Sequence, residues 1–238
     1  MTLDEKLDLA LKEAQWASDY VDILNLVSAH LYSYRAQKQV YEIENFWSKR
    51  DDIAYANVKG RQAVLDYYCK TNERMRAKKL ELAHKFHPEI AVDPKNEGVG
   101  DMVSKAATTP FVIIADDRRT AQGLFFVPGI CSEIGEDGNI RPNYFQEKNG
   151  FDFINEDGQW KIWHMNIFVD FMSPLPANMA DPANFNTPTV PYAQVGYTGE
   201  LPMDSQPYGP TRVAGFEPPL PAQYSTWDSN ERTEVIRK

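Results

Sequence analysis

The sequence predicts an α+β fold, with helices packed on one face of an antiparallel sheet. Three observations carry this. Apolar residues recur at helical spacing as far as about residue 85. From residue 110 they fall into short strand-like runs. Those runs are separated by polar turns, and helices followed by hairpins point to this class.

Leu3, Leu7, Ala10 and Leu11 share one helical face, and Val21, Leu24, Val27, Ser28, Leu31 and Arg35 share another, with Ser18 or Asp19 placed to cap a second helix. A short helix is expected over Val40 to Trp47 and a short strand over Ile53 to Val58. A long helix then runs from Arg61 to about Lys85. His87-Pro88 ends it, because the residue before a proline is pushed out of the α region. The run PFVIIA, 110–115, reads as a strand that turns at Asp116-Asp117-Arg118-Arg119 and returns over Thr120 to Val127. Tyr144 to Asn155 and Gln159 to Phe171 flank Glu156-Asp157-Gly158, the strongest hairpin signal in the chain.

Of the 16 prolines, 11 follow Ser173, and the same stretch carries Phe185, Tyr192, Tyr197, Tyr208, Phe216, Tyr224 and Trp227. Solvated linkers are poor in aromatics, so 174–238 reads as an extended arm lying on a protein surface, and 1–173 as the folded domain. The net charge of −9 would repel phosphate backbones and anionic membranes, and no basic stripe offsets it. No apolar run is long enough to span a bilayer. The acidic, amphipathic start does not fit a secretory signal, and a cytoplasmic location is expected. Cys69 and Cys131 match no zinc or redox spacing and are expected as reduced thiols. No phosphate loop, dinucleotide fingerprint or nucleophile elbow is present, so no cofactor is expected.

Four stretches carry a family resemblance: ILNLVSAHLYSYRAQ, NFWSKRDDIAYANVKGRQAVLDYY, TPFVIIADDRRTAQGLFFVPG and NGFDFINEDGQWKIWHMNIFVDF. Together, from about Asp19 to Phe171, they resemble the SnoaL-like branch of the nuclear transport factor two-like superfamily, with Gly150 to His164 the most specific part. The resemblance implies a strongly curved sheet wrapped into a cone around helices, with an internal pocket for a small molecule. Longer members with a proline-rich end resemble lignin diarylpropane lyases, which release formaldehyde without a cofactor. The function it implies is a cofactor-independent lyase acting on an aromatic, lignin-derived molecule. The alternatives are a dehydratase, isomerase or cyclase of a steroid- or polyketide-like substrate, or a binding protein without activity.

Within that frame the last strand supplies the first candidates. Strand alternation puts Trp160, Ile162, His164, Asn166 and Phe168 on one face, and the resemblance points that face into the cone. His164 is then the candidate acid–base group. His30 and Tyr34 lie four apart on one helical face, suited to an imidazole–phenol pair, with Arg35 beside them to hold an acidic or phenolate group. Trp47 and Tyr55 flank the first short strand as candidate substrate contacts. Tyr144, Gln146 and Lys148 share a face, and period alone does not say whether it points inward, because Gly150 can mark a bulge that resets the alternation. If inward, Lys148 stabilises a phenolate and Tyr144 donates a proton. His84 and His87 lie three apart at a helix end without a carboxylate motif, and no metal site is expected there. Trp163, Met165 and Ile167 would form an apolar stripe on the outer face, which predicts a homo-oligomer, dimer or trimer, laced by the arm.

Overall fold

The structure is a computed structural model, and it describes residues 1–175, 177, 196, 203–205, 213 and 215–234. Four of the arm's aromatics, Phe185, Tyr192, Tyr197 and Tyr208, lie outside the described residues.

The chain begins with one helix, α1 (Leu3–Arg35), where two were expected. No glycine or proline interrupts 3–35, so the two helical patterns join end to end. Thr2 and Glu5 form a reciprocal capping box at its start. Asp19, expected as a cap, sits mid-helix and accepts hydrogen bonds from Trp160 Nε1 at 3.0 Å and Arg118 Nε at 2.6 Å. A short helix follows, α2 (Gln39–Asn45). The single strand expected over 53–58 is instead a minimal hairpin, β1 (Ala54–Tyr55) and β2 (Val58–Lys59), turned by Ala56 at φ +51°. The long helix is present as α3 (Arg61–Val64), a π-helical stretch over Leu65–Thr71, and α4 (Asn72–Phe86).

Strand β3 (Met102–Lys105) was not anticipated. The remaining strands are β4 (Thr108–Ile114), β5 (Thr120–Ile134), β6 (Ile140–Glu156), β7 (Gln159–Pro174) and β8 (Met203–Ser205). The fold is α+β, with a curved, unclosed sheet in the order β2-β1-β7-β6-β5-β3. β4 joins it on β5, and β8 runs parallel to β7. Helices cover one face. Ile23, Val27 and Leu31 of α1 and Tyr67 and Tyr68 of the π-helical stretch form one core with Phe125, Phe151, Phe153, Trp160 and Ile162 of the sheet.

The faces of β6 and β7 decide where every candidate goes. The β6 register with β5 is regular from Thr120↔Ile154 to Ile134↔Ile140, and Gly150 pairs normally with Leu124 and Asn166. Gly150 is therefore no bulge. The odd residues Phe145, Glu147, Asn149, Phe151 and Phe153 face the helices: Phe151 and Phe153 stack at 5.4 Å, and Phe151 meets the His30 ring edge-on at 5.7 Å. Tyr144 and Lys148 take the outer face, where Lys148 Nζ is 2.6 Å from Asp170 Oδ1.

The bulges lie in β7. Asp152 pairs with His164 and Phe153 with Ile162, which leaves Trp163 as an extra residue. One extra residue reverses the alternation beyond it. Trp160 and Ile162 face the core, as expected. Past Trp163 the core-facing residues are Met165 and Ile167, 1% and 5% exposed, while His164, Asn166 and Phe168 turn to the outer face. This corrects the inward placement of those three. It also removes the outer apolar stripe, since Met165 and Ile167 are core and Trp163 is covered by Trp227 at a centroid distance of 4.5 Å. The described end of the arm thus lies on its own sheet. Its Tyr224 carbonyl accepts from the Asp116 amide at 3.1 Å, and its hydroxyl meets Thr120 Oγ1 at 3.1 Å.

Candidate active site

The core-facing side of the sheet holds a buried polar constellation. Glu42 of α2 is fully buried, and its carboxylate receives three hydrogen bonds. His30 Nδ1 lies 2.7 Å from Oε1, Trp47 Nε1 donates to Oε1 at 2.8 Å, and the Tyr68 hydroxyl donates to Oε2 at 2.9 Å. An indole N–H can only donate, so the carboxyl is read as an acceptor throughout. His30 therefore donates from Nδ1, and Nε2 is the nitrogen turned away from Glu42. Burial, with the Glu42 charge second, pushes the Tyr68 hydroxyl well above the usual phenol range, so it stays a donor.

Local structure explains the convergence. The π-helical stretch brings both Tyr67 and Tyr68 under the sheet, 6% and 1% exposed, against Tyr55 at 5.8 and 5.1 Å. Such insertions recur at functional sites. α2 is short, and Gln39, Glu42, Ile43 and Phe46, at i, i+3, i+4 and i+7, share its inward face.

One turn beyond His30, Tyr34 faces the open end of the sheet. Lys105 Nζ of β3 lies 4.5 Å from its ring centroid and 2.6 Å from Glu147 Oε1 of β6. Burial opposes the charge on Lys105, but Glu147 and the nearby phenol outweigh it, and its pKa lies above the ordinary lysine value. Between Glu147 and Phe151 on the same face sits Asn149. Its side chain therefore faces the α1 turn from His30 to Tyr34. It is 1% exposed, and neither its Nδ2 nor its Oδ1 has a hydrogen-bond partner among the described residues. A cavity of about 200 Å³ opens beside Tyr34, lined also by Gln39, Arg76, Lys79, Asp101 and Glu133. Among the described residues no cluster of histidine, cysteine, aspartate and glutamate is placed to hold a metal.

The structure thus brings together His30, Tyr34, Trp47 and Tyr55 and separates them from the other candidates. Arg35 is exposed at the end of α1. Tyr144 packs against Phe171 at 5.5 Å on the outer face, while Phe168 and Asn166 are buried on that face. His164 stacks on Trp163 at 4.4 Å, with Nδ1 3.0 Å from Asp152 Oδ2 and Nε2 3.2 Å from the Asp52 carbonyl oxygen. Gln122 Nε2 donates to the other Asp152 oxygen at 2.8 Å. Hydrogen bonds from Arg50, helped by Trp163 against the effect of burial, hold the neighbouring Asp52 carboxyl down to about 2. A second cavity, about 280 Å³, lies here between Asp152, His164, Trp227 and the β1–β2 hairpin. Sequence reasoning missed Glu42, Lys105 and Asn149. The signal for the last was available, because Glu147 and Asn149 interrupt an alternate-residue row of phenylalanines.

No family model matches the chain, and no curated protein matches it in sequence. Among solved structures it is similar to a type 2 hexachlorocyclohexane dehydrochlorinase, LinA, at 15% identity and a TM-score of 0.48, over 71% of this chain and 98% of that one. A LinA-type3 enzyme from Novosphingobium barchaimii LL02 aligns at 14% identity and 0.47, over 71% and 99%. A nuclear transport factor two-like protein with a cystatin-like fold from Novosphingobium aromaticivorans aligns at 13% and 0.43, over 78% and 100%. Identities this low leave the chemistry to the residues of this chain. No helix among the described residues is long and apolar enough to cross a membrane.

Proposed function

We propose that the chain is an acid–base enzyme that needs no cofactor and breaks a carbon–carbon or carbon–oxygen bond in a small aromatic molecule held between the helices and the sheet. The observation that carries this reading is the His30–Glu42 pair. Glu42 is held by two further donors, and the imidazole turns Nε2, the nitrogen that would act as the base, away from it. A base fixed in one tautomer by a carboxylate typically contributes about 10²–10⁴-fold. The aromatic walls, Tyr55, Tyr67, Phe125 and Phe151, suit a ring, and Asn149 offers a donor and an acceptor to its polar substituents.

In the formaldehyde-releasing version, His30 Nε2 takes the proton of a primary hydroxyl on a diaryl diol. The O–H electrons form the carbonyl of formaldehyde as the carbon–carbon bond breaks. Those bond electrons form a ring-conjugated alkene, and the benzylic hydroxyl leaves as water on a proton returned by Tyr34 or the imidazolium. Lys105 and Asn149 stabilise developing negative charge, a kind of contact typically worth about 2–4 kcal/mol each. The same groups would serve a dehydration.

The test is turnover on a panel of lignin-derived diaryl diols, steroids and polyketides, followed by ultraviolet absorbance and formaldehyde release. Folded His30→Gln should lose at least about 100-fold in rate. Dialysis against a chelator should leave the wild type active. Near wild-type turnover by folded His30→Gln overturns the assignment, as does activity that one added metal restores. Tight binding of panel members without turnover would favour the binding-protein reading.

A further inference from the structure

The first three turns of α1 stand clear of the other described residues. Every residue from Met1 to Ser18 is exposed, and the earliest residues of the helix held by the body are Gln15 and Asp19, both bonded to Arg118. Leu3 to Ala14 therefore projects about 18 Å at the usual rise of 1.5 Å per residue. A helix of this length is marginal in water on its own. This one nonetheless carries Leu3 at 81% exposure, Leu7 at 56% and Leu11 at 53%.

The apolar residues follow a heptad. Leu3, Leu7, Ala10, Ala14, Ala17 and Val21 are separated by alternating steps of four and three, which is the seam of a two-stranded coiled coil. The alanines let two backbones approach closely. The charges flanking the seam choose the partner and its direction. In an antiparallel pair that sets Leu7 against Ala10 of a second copy, and Leu3 against Ala14, the flanking position of Lys6 meets Glu13 of the other chain. The two-fold axis repeats this contact. In a parallel pair Lys6 would face Leu11 and Glu13 would face Ser18, with no complementary charge. Neither Lys6 nor Glu13 has an ion-pair partner among the described residues.

We infer that Leu3–Ala14 docks antiparallel on the same segment of a second copy of this chain, forming a homodimer through helix tips. The surface differs from the sheet face on which the sequence pattern placed an oligomer, and it is independent of the catalytic reading.

The test is sedimentation or light scattering of the full chain across a concentration series. The wild type should be a dimer that dissociates on dilution, and Leu7→Asp should be monomeric at all concentrations while keeping its circular dichroism in the sheet region. Lys6→Glu alone, or Glu13→Lys alone, places like charges across the seam at both contacts and should weaken the dimer about tenfold. The double exchange should restore it, which a merely destabilised helix would not do. A monomeric wild type overturns the proposal, whatever part of its own chain then covers the helix. A dimer indifferent to Leu7→Asp overturns it equally, and so does a charge exchange that fails to rescue.

Discussion

Asn149→Leu should make the protein more stable and less active. The amide is 1% exposed, and neither polar atom has a partner among the described residues. Its cross-strand neighbours are Phe125 on β5 and Ile167 on β7, both apolar and buried. A buried polar group left unsatisfied costs about 1–3 kcal/mol, and two are carried on this side chain. Leucine has the same branching and heavy-atom count, but its methyl groups are bulkier, and overpacking costs about 1–3 kcal/mol. The expected net is a gain of about 1–3 kcal/mol. For a chain of this size that raises Tm by about 2–10 °C. Chemical denaturation with a two-state fit, checked by thermal unfolding, measures it. Turnover or ligand affinity, measured on the same preparation, should fall at least about tenfold, because the groups that oriented the substrate are gone. Asn149→Leu that is less stable than wild type by about 1 kcal/mol or more, the size of a lost hydrogen bond, would refute the reasoning. The amide would then be satisfied in the folded protein, and its place in a binding site would lose its support.

Two further outcomes follow from the packing. Trp227→Ala removes an indole stacked between Trp163 at 4.5 Å and the Arg232 guanidinium at 4.0 Å, so limited proteolysis should cut within residues 224–234 faster than in wild type, with Tm lowered; unchanged cleavage and Tm would show that this contact does not hold the segment. Cys69 is buried, and burial pushes its thiol up to about 12, so it should resist iodoacetamide at pH 8 in the native protein and react once denaturant is added; rapid native labelling of Cys69, located by peptide mapping, would contradict the burial.

What the sequence disclosed and what it hid divide along physical lines. The β6–β7 hairpin was legible because Glu156-Asp157-Gly158 supplies the turn chemistry, and the structure places Asp157 and Gly158 at positive φ, +53° and +82°. The order of helices and strands was legible because each period repeats over many residues. The phase of β7 was not. A bulge at Trp163 has no residue signature of its own, since tryptophan fits a regular strand as readily, and a single uncounted residue exchanges the faces of everything after it. Gly150 drew the suspicion that belonged to Trp163. Glu42 was hidden for a different reason. Its meaning lies in His30, Trp47 and Tyr68, at separations of 12, 5 and 26 residues, and tertiary convergence of that kind leaves no periodic trace.

The bulge leaves the protein with two histidine–carboxylate pairs on opposite faces of one sheet, and their geometry separates their uses. His164 has a partner at each ring nitrogen, Asp152 Oδ2 at Nδ1 and the Asp52 carbonyl at Nε2. It also lies between the β1 approach and the arm, stacked on Trp163 and 5.8 Å from Trp227. A ring engaged at both ends ties segments together and has no free nitrogen to offer a substrate. His30 is engaged at one end only. Three donors converge on its carboxylate partner, and the ring lies edge-on to Phe151 at 5.7 Å. A base must accept a proton at one nitrogen while the other holds its place. Of the two rings, His30 alone has the one-ended engagement that the proposed base requires, while His164 is held at both nitrogens and lies 5.8 Å from Trp227 of the arm.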